Sequence, residues 1–417
     1  MTLSVRISII LVSLLVWIGW AVSLGPVSLQ AWQVMAILMT GLAFSVISAN
    51  GRVPLRGLTY SERSWLLLIV LAIGLVIASI ALSAFANGQI LASFQWSVRF
   101  FLGIFLILFF LVFSRKLEGA CGVLSSLALA GAASSILVVI FDATFGSDHL
   151  LRGAGQRAQA FLNNPNQFAM LLLAATPGAA LLGNYSQAPW FWRVVLIFLL
   201  IGLALSGSKM NIALSLVITS TVWVLARRER LHIPTFVRVV RVLGTFAVIG
   251  CAAFFILTWL APRALSELIQ IAEDAEAISA YTVRIDQWLV GLELIRANMV
   301  FGIGPEATYN HIRHGHFHNA IIHYAVVGGV LAGIGVLLIY IACLWRFWVE
   351  FRKASVNWIH RRPDLNQLTQ LAAMAGASGY LLANLTSDSL GGTTIPVLWL
   401  LLGVYVVKSR SPVSQQC

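Results

Sequence analysis

Charge is what this sequence has least of. Only 10% of its 417 residues are Asp, Glu, Lys or Arg, and the acidic ones number 15 against 27 basic. An apolar share of 59% and a mean hydropathy of +0.89 leave too little polar surface to cover a water-soluble globule, so a soluble fold is excluded. Cysteine is scarce as well: Cys121, Cys251 and Cys343 fall in apolar runs and Cys417 stands last. That spacing fits neither a disulfide framework nor a zinc site, and the cysteines read as packing residues. Internal repeats and low-complexity tracts are also missing, which excludes solenoids and arrays.

What the chain does have is apolar runs near the roughly 20 residues that a helix needs to cross a bilayer. Twelve can be read: Ile7 to Ser23, Val27 to Ala49, Ser64 to Ala84, Phe100 to Phe113, Ala120 to Ala143, Phe168 to Leu182, Val194 to Leu205, Ile212 to Ala226, Leu243 to Ala261, Ala320 to Trp345, Leu368 to Leu385 and Ile395 to Val407. The first resembles a signal peptide, with Ala21 and Ser23 before a cleavage point. Its length and the second run close behind it favour an uncleaved helix. The expected fold is an all-α polytopic membrane protein of about 12 transmembrane helices in one bundle. Helices 1 to 9 occupy residues 1–261, a long outer loop 262–319, and helices 10 to 12 with a tail 320–417.

A net charge of +12 suits nucleic acid, but topology explains most of it. With both termini cytoplasmic, 19 of the 27 basic residues fall on the cytoplasmic side, as the positive-inside rule requires. No nucleic-acid partner is needed. The eight on the outer side are Arg99, Arg152, Arg157, Lys209, Arg263, Arg284, Arg296 and Arg313, and these call for another reason.

Two outer connections are long, Thr144 to Asn166 and Pro262 to Asn319, and long ordered loops usually carry function. Between Arg284 and Arg296 a helical period puts Ile285, Trp288, Leu289, Leu292 and Ile295 on one side. This predicts an amphipathic helix lying on the membrane or capping the bundle, with Arg284 at the border of its apolar face. It ends before the turn signal Gly302-Ile303-Gly304-Pro305.

Five features then share the outer side: Arg157 before Phe161-Leu162-Asn163-Asn164-Pro165-Asn166; the short turn Ser206-Gly207-Ser208-Lys209; Arg284; the cluster His311, His314, His316 and His318; and Asn319, with Gly328 and Gly329 beyond it. Cations at membrane depth are expensive unless paired or met by an anion. Asp286 and Asp388 could pair with one or two of them; the other reading is a diphosphate ligand, which suits a fork of Arg and Lys donors. The histidines divide similarly. His318, at the junction of loop and tenth helix, is placed to act as a general base, with Asn319 orienting it or a substrate hydroxyl. A metal held by the four histidines is the competing reading, though neither an outer cysteine nor an obvious carboxylate completes such a site.

Together these motifs resemble the bacterial O-antigen ligase superfamily, which includes O-antigen ligases, O-antigen polymerases and O-linked oligosaccharyltransferases. Arg157, Phe161 and Asn164-Pro165-Asn166 are similar to one of its segments. Ser206-Gly207-Ser208-Lys209 is similar to its Ser-x-Ser-Arg, with lysine where arginine is usual. Arg284 to Trp288 and Phe301 to Pro305 lead to a signature, His-Asn and then Gly, met by His318, Asn319 and Gly329. The departures are Lys209 and Ala332, where a further small or polar residue is expected.

The resemblance implies a GT-C-like glycosyltransferase of the bacterial inner membrane, multi-pass, with its active site facing the periplasm and no cofactor or metal. Its donor is a glycan on undecaprenyl diphosphate. His318 takes the acceptor's proton, and Arg284, Lys209 and Arg157 stabilise the diphosphate leaving group, with Asn319, Asn166 and His316 in support. The long, basic, histidine-rich loop suits a phosphorylated lipid A-core acceptor, as in a ligase. A polymerase shares the donor and differs in acceptor. A transporter or flippase is the reading from another class, but the charges cluster at one face and only Pro177 interrupts a span.

Overall fold

The computed structural model describes residues 21–24, 27–30, most of 33–41, 58–113, 117–146, 149–152, 157–162, 164–227, 276–312, 316–360, 364–386 and 394–407. The expected spans Ile7 to Ser23, Val27 to Ala49 and Leu243 to Ala261 lie largely or wholly outside these residues, as do His314, Arg263, Arg313 and Asp388. Where the first span should end and the second begin, the chain forms a short antiparallel hairpin, β1 (Ala21–Leu24) with β2 (Val27–Gln30). The reason is local: Val22-Ser23-Leu24 and Val27-Ser28-Leu29 alternate apolar and polar about Gly25-Pro26, a strand period and a helix breaker.

The rest is α-helical. In order come α1 (Tyr60–Asn87), α2 (Ile90–Phe113), α3 (Leu117–Phe145), α4 (Pro165–Tyr185), α5 (Pro189–Leu205), α6 (Lys209–Ala226), α7 (Glu276–Ala297), α8 (Ala320–Gly328), α9 (Val330–His360), α10 (Leu365–Ala383) and α11 (Ile395–Val406). Among the described residues, α1, α2, α3, α4, α6 and α9 are long and apolar enough to cross a membrane, and α5 and α11 are shorter apolar helices. Two expectations change. The tenth span is not one helix but α8 and α9, broken at Gly329. The fourth begins at Ile90, ten residues before the expected Phe100, so Arg99 sits within a helix rather than outside the membrane. Gln95 and Arg99 lower the hydropathy of this stretch without breaking its helix.

At the centre are α4, 94% of whose span is buried, and α10, which packs on α4, α6, α9 and α11. Asn366, Gln367, Thr369 and Gln370 keep α10 off the list of apolar spans, and its neighbours shield it from lipid. Small side chains let these helices approach closely. A Cβ at Gly376 would stand 2.6 Å from the Ala174 carbonyl oxygen, and one at Gly379 would stand 2.7 Å from Ile218 Cδ1. Inside the bundle, Thr219 Oγ1 donates to Thr176 Oγ1 at 2.7 Å and ties α6 to α4.

At the end of the bundle where α1 begins and α9 ends lies a closed ionic cluster. Arg346 of α9 pairs with Glu350 at 3.0 Å and Glu62 at 3.6 Å, donates to the Tyr405 hydroxyl and lies over that ring. Lys353 reaches Glu350 at 3.1 Å. The cluster fastens α1, α9 and α11 together. Cys121, on α3, is disulfide-bonded with its other half outside the described residues, which corrects its reading as a packing residue, whereas Cys343 is free and buried.

Candidate functional site at the opposite end of the bundle

The segment Asn164-Pro165-Asn166 works as a helix start. Asn164 is the N-cap of α4, its side chain accepting the Asn166 amide at 2.8 Å, and Pro165 takes the first helical position, where no amide is needed. Asn166 is thereby held so that its Oδ1 accepts from an Arg157 Nη at 2.9 Å. Arg157 Nε donates to the Ser206 carbonyl at 2.7 Å, and the Ala158 amide to Leu205 O at 3.0 Å. The loop before α4 is thus pinned to the turn between α5 and α6. Gly207 (φ 63°) allows this, since a Cβ there would press on Arg157 Nε at 3.2 Å.

The hydrogen-bond partners of Arg157 are therefore neutral oxygens. Its burial, and after that the charge of Arg284, hold its pKa below the ordinary arginine value. The second cause also says that Arg284 is near, so the structure brings Arg157, Asn166, the Ser206-Gly207 turn and Arg284 together. Lys209, exposed, is the first residue of α6, two places beyond Gly207. A cation there sits at the positive end of the helix dipole, the reverse of the favoured arrangement. Arg152, another outer cation, is accounted for internally: it pairs with Asp142, which also meets His149 at 2.8 Å.

The amphipathic helix is present as α7, longer than expected and with its apolar side divided. Gly291, Leu294 and Ile295 face the protein, the last two packing on Ile312, Phe317 and Val326. Val283, Ile285, Leu289 and Leu292 stay exposed, an apolar stripe suited to lipid. A Cβ at Gly291 would come within 2.6 Å of Ile322 and 2.9 Å of Phe317, so α7 crosses the start of α8 there. Arg284 lies on the same helix face seven residues earlier, about 10.5 Å along the axis.

After α7 the chain doubles back along the break between α8 and α9. The Ile303 amide donates to Val326 O at 2.9 Å, Gly304 to Val327 O at 3.0 Å, and Val330 to Met299 O at 2.8 Å. Ser83 of α1 donates to Val327 O at 2.8 Å. Carbonyls left open where α8 stops are thus satisfied. The glycines of this stretch are required by contact: Gly302 (φ 64°) would put a Cβ 2.5 Å from Val326 O, and Gly329 (φ 83°) would put one against Val300 O. Phe301 to Pro305 and Gly329, separate motifs in the sequence, are two sides of one joint.

His318 stands at the head of α8 with φ 48°, a backbone conformation uncommon outside glycine that tends to persist at functional sites. Asn319 is the N-cap: its Oδ1 accepts from Ile321 and Ile322 at 3.0 and 3.2 Å. With Oδ1 engaged in the cap, the Asn319 Nδ2 is the group placed to orient the His318 ring or a hydroxyl. His316 stacks toward Tyr309 and His323, with ring centroids 6.3 and 5.5 Å away, whereas His311 is exposed. Among the described residues, no three His, Cys, Asp or Glu side chains are grouped to hold a metal. His323 escaped the sequence reading. It is 1% exposed, packed among Trp96, His316, Phe317 and Tyr324, and the available signal was an ionisable residue inside an apolar run.

A family model described as O-antigen ligase matches residues 194–337, from α5 to the first turns of α9. That interval holds the Ser206 to Lys209 turn, Arg284, the glycine joint and the His318-Asn319 pair. Over that stretch the chain is similar to the O-antigen ligase family. No curated protein matches it. Members of that family are glycosyltransferase-like enzymes, and the described residues of this chain include helices long and apolar enough to cross a membrane. Arg157 and Asn166 fall outside the matched interval; Arg157 is tied to it by its hydrogen bond to Ser206, and Asn166 by its hydrogen bond to Arg157.

Proposed function

We propose that this protein is an O-antigen ligase that moves a glycan from undecaprenyl diphosphate to a lipid A-core hydroxyl on the periplasmic face of the inner membrane. The observation that carries the reading is Arg157 itself, whose hydrogen-bond partners are the neutral oxygens of Ser206 and Asn166. A half-buried arginine without a carboxylate partner is costly in the free protein. A diphosphate would offset that cost. The α4 and α6 N-termini add their dipoles to the same region.

In the reaction, His318 takes the proton of the acceptor hydroxyl. The oxygen attacks the anomeric carbon and the bond from that carbon to the phosphate oxygen breaks. The new negative charge on the leaving undecaprenyl diphosphate is met by Arg157, Arg284 and Lys209. The ladder between the Ile303 to Gly304 segment and α8 supports this division of labour, because it fixes the helix carrying Arg284 against the helix carrying His318. The expected orientation puts both termini in the cytoplasm and the residue 262–319 segment outside.

Two experiments test the proposal. A strain lacking the protein should accumulate long glycan on undecaprenyl diphosphate and carry bare core, whereas core bearing a single repeat unit would make it a polymerase. Single alanine variants of His311, His314, His316 and His318, assayed for transfer with and without a chelator, test the base. The expected loss is confined to His318→Ala and is roughly a hundred- to ten-thousand-fold. Comparable losses at several positions, or sensitivity to the chelator, would replace the base with a metal site.

A further inference from the structure

Arg99 is one of the cations assigned to the outer side by sequence that the proposed reaction leaves unused. It lies in the interior of α2, within an apolar span, on the side of that helix shared with Trp96 and Gly103. This side faces the bundle. Trp96 packs on His323 and Tyr324, a Cβ at Gly103 would meet Trp399, and Leu91, Phe94 and Phe101 point elsewhere and are exposed. Arg99 Nε is fully buried and has no hydrogen-bond partner, and among the described residues the side chain forms no ion pair. The polar group within its electrostatic reach is Tyr324, one and a half turns below the head of α8. Arg99 is therefore level with the helix headed by His318 and above the Gly329 break, nine residues into the apolar span that starts at Ile90.

An unpaired arginine at such a position is costly and is expected to face a ligand. Its ligand must carry the anion into an apolar span. In a polyprenyl diphosphate, the phosphate bonded directly to the isoprenoid chain is the anion closest to the lipid. We propose that Arg99 binds this lipid-proximal phosphate, leaving the sugar-proximal phosphate to Arg157 and Arg284. The assignment rests on the glycan-transfer reading above and adds to it a residue that donates to the substrate from within the membrane.

Undecaprenyl monophosphate, which has only the lipid-side phosphate, isolates the contact. Its affinity for the purified protein, measured by native mass spectrometry, is expected to fall about tenfold or more in Arg99→Met, in line with the loss of a charge-assisted hydrogen bond. Arg157→Ala should leave the monophosphate affinity within about twofold and lose the added affinity of the diphosphate. Unchanged monophosphate affinity in Arg99→Met overturns the assignment, as does equal displacement of the lipid by excess phosphatidylglycerol, which would mean an ordinary headgroup site. Should Arg99→Met fail to insert, Arg99→Lys decides: with a wild-type thermal midpoint, a several-fold loss for the monophosphate supports the contact and wild-type affinity overturns it. If Arg157→Ala and Arg284→Ala also leave diphosphate affinity unchanged, the transfer reading falls too. If they weaken it and Arg99→Met does not, only the Arg99 assignment falls.

Discussion

Arg346 and Arg157 are withdrawn from water at opposite ends of one bundle, and they are compensated in opposite ways. Arg346, 3% exposed, has two carboxylates, a hydroxyl and an aromatic face within the protein. Arg157 has a carbonyl, an amide oxygen and another arginine nearby. The first cluster is complete as folded, and its work is to hold α1, α9 and α11. In the second, the hydrogen-bond partners of Arg157 are neutral oxygens, which is why the proposed function places an anion there. Burial alone would not have separated the two; the chemistry of the partners does.

The sharpest way to break this contrast is to remove each arginine. Arg346→Ala removes the cation shared by Glu62 and Glu350, leaving Glu350 only its partly exposed partner Lys353, and is expected to cost about 3–5 kcal/mol, seen as a lower thermal midpoint or lost yield in detergent. A midpoint equal to wild type would mean that the closed cluster is not structural. Arg157→Ala and Arg284→Ala should behave in reverse, with transfer down roughly a hundred- to a thousand-fold and the midpoint level or higher. If these variants instead express poorly and recover when Asp286 is also removed, the outer arginines belong to internal ion pairs and the contrast fails.

A smaller effect separates the three asparagines that shape the outer site. Asn164→Ala and Asn319→Ala each remove an N-cap, at about 1 kcal/mol of stability, measurable by chemical or thermal unfolding. Asn166→Ala should leave stability almost unchanged and lower transfer, because its contact is with Arg157 and not with a helix end. The smallest effect is expected at Lys209. Lys209→Arg keeps the charge and regains the planar fork, so transfer should be retained or slightly raised; a steep loss would remove Lys209 from the diphosphate.

Much of this was legible in the sequence, because apolar length is a strong signal. The third to eighth and tenth to twelfth expected spans are helical, and α7 falls where its period put it. What escaped depends on contacts that no local pattern records. Arg99 lowers the hydropathy of its stretch, so α2 read ten residues too short. Gly328-Gly329 read as small residues within a helix, when the break they allow is closed by amides from residues 303 and 304. The apolar stripe of α7 read as one face, yet part of it meets protein and part is exposed, since the position of α8 is not written in residues 284–296. The hairpin at Ala21 to Gln30 was hidden by an apolar composition that suits a strand as well as a span. Motif order singled out Arg157, Asn166, Arg284 and His318, whereas the roles of Asn164 and Asn319 as caps needed hydrogen bonds to see.

The joint at Gly329 also has a mechanical consequence. Four backbone or hydroxyl hydrogen bonds, from Ile303, Gly304, Val330 and Ser83, clamp the return of α7 to the break between α8 and α9. A helix whose outer stripe rests in lipid feels any change in bilayer thickness or lateral pressure. Clamped this way, α7 cannot tilt by itself: its motion is handed to α8 and so to His318, like a float on a short rigid arm. His318 and Arg284 then rise and fall together, and the distance between them is held while the membrane around them moves.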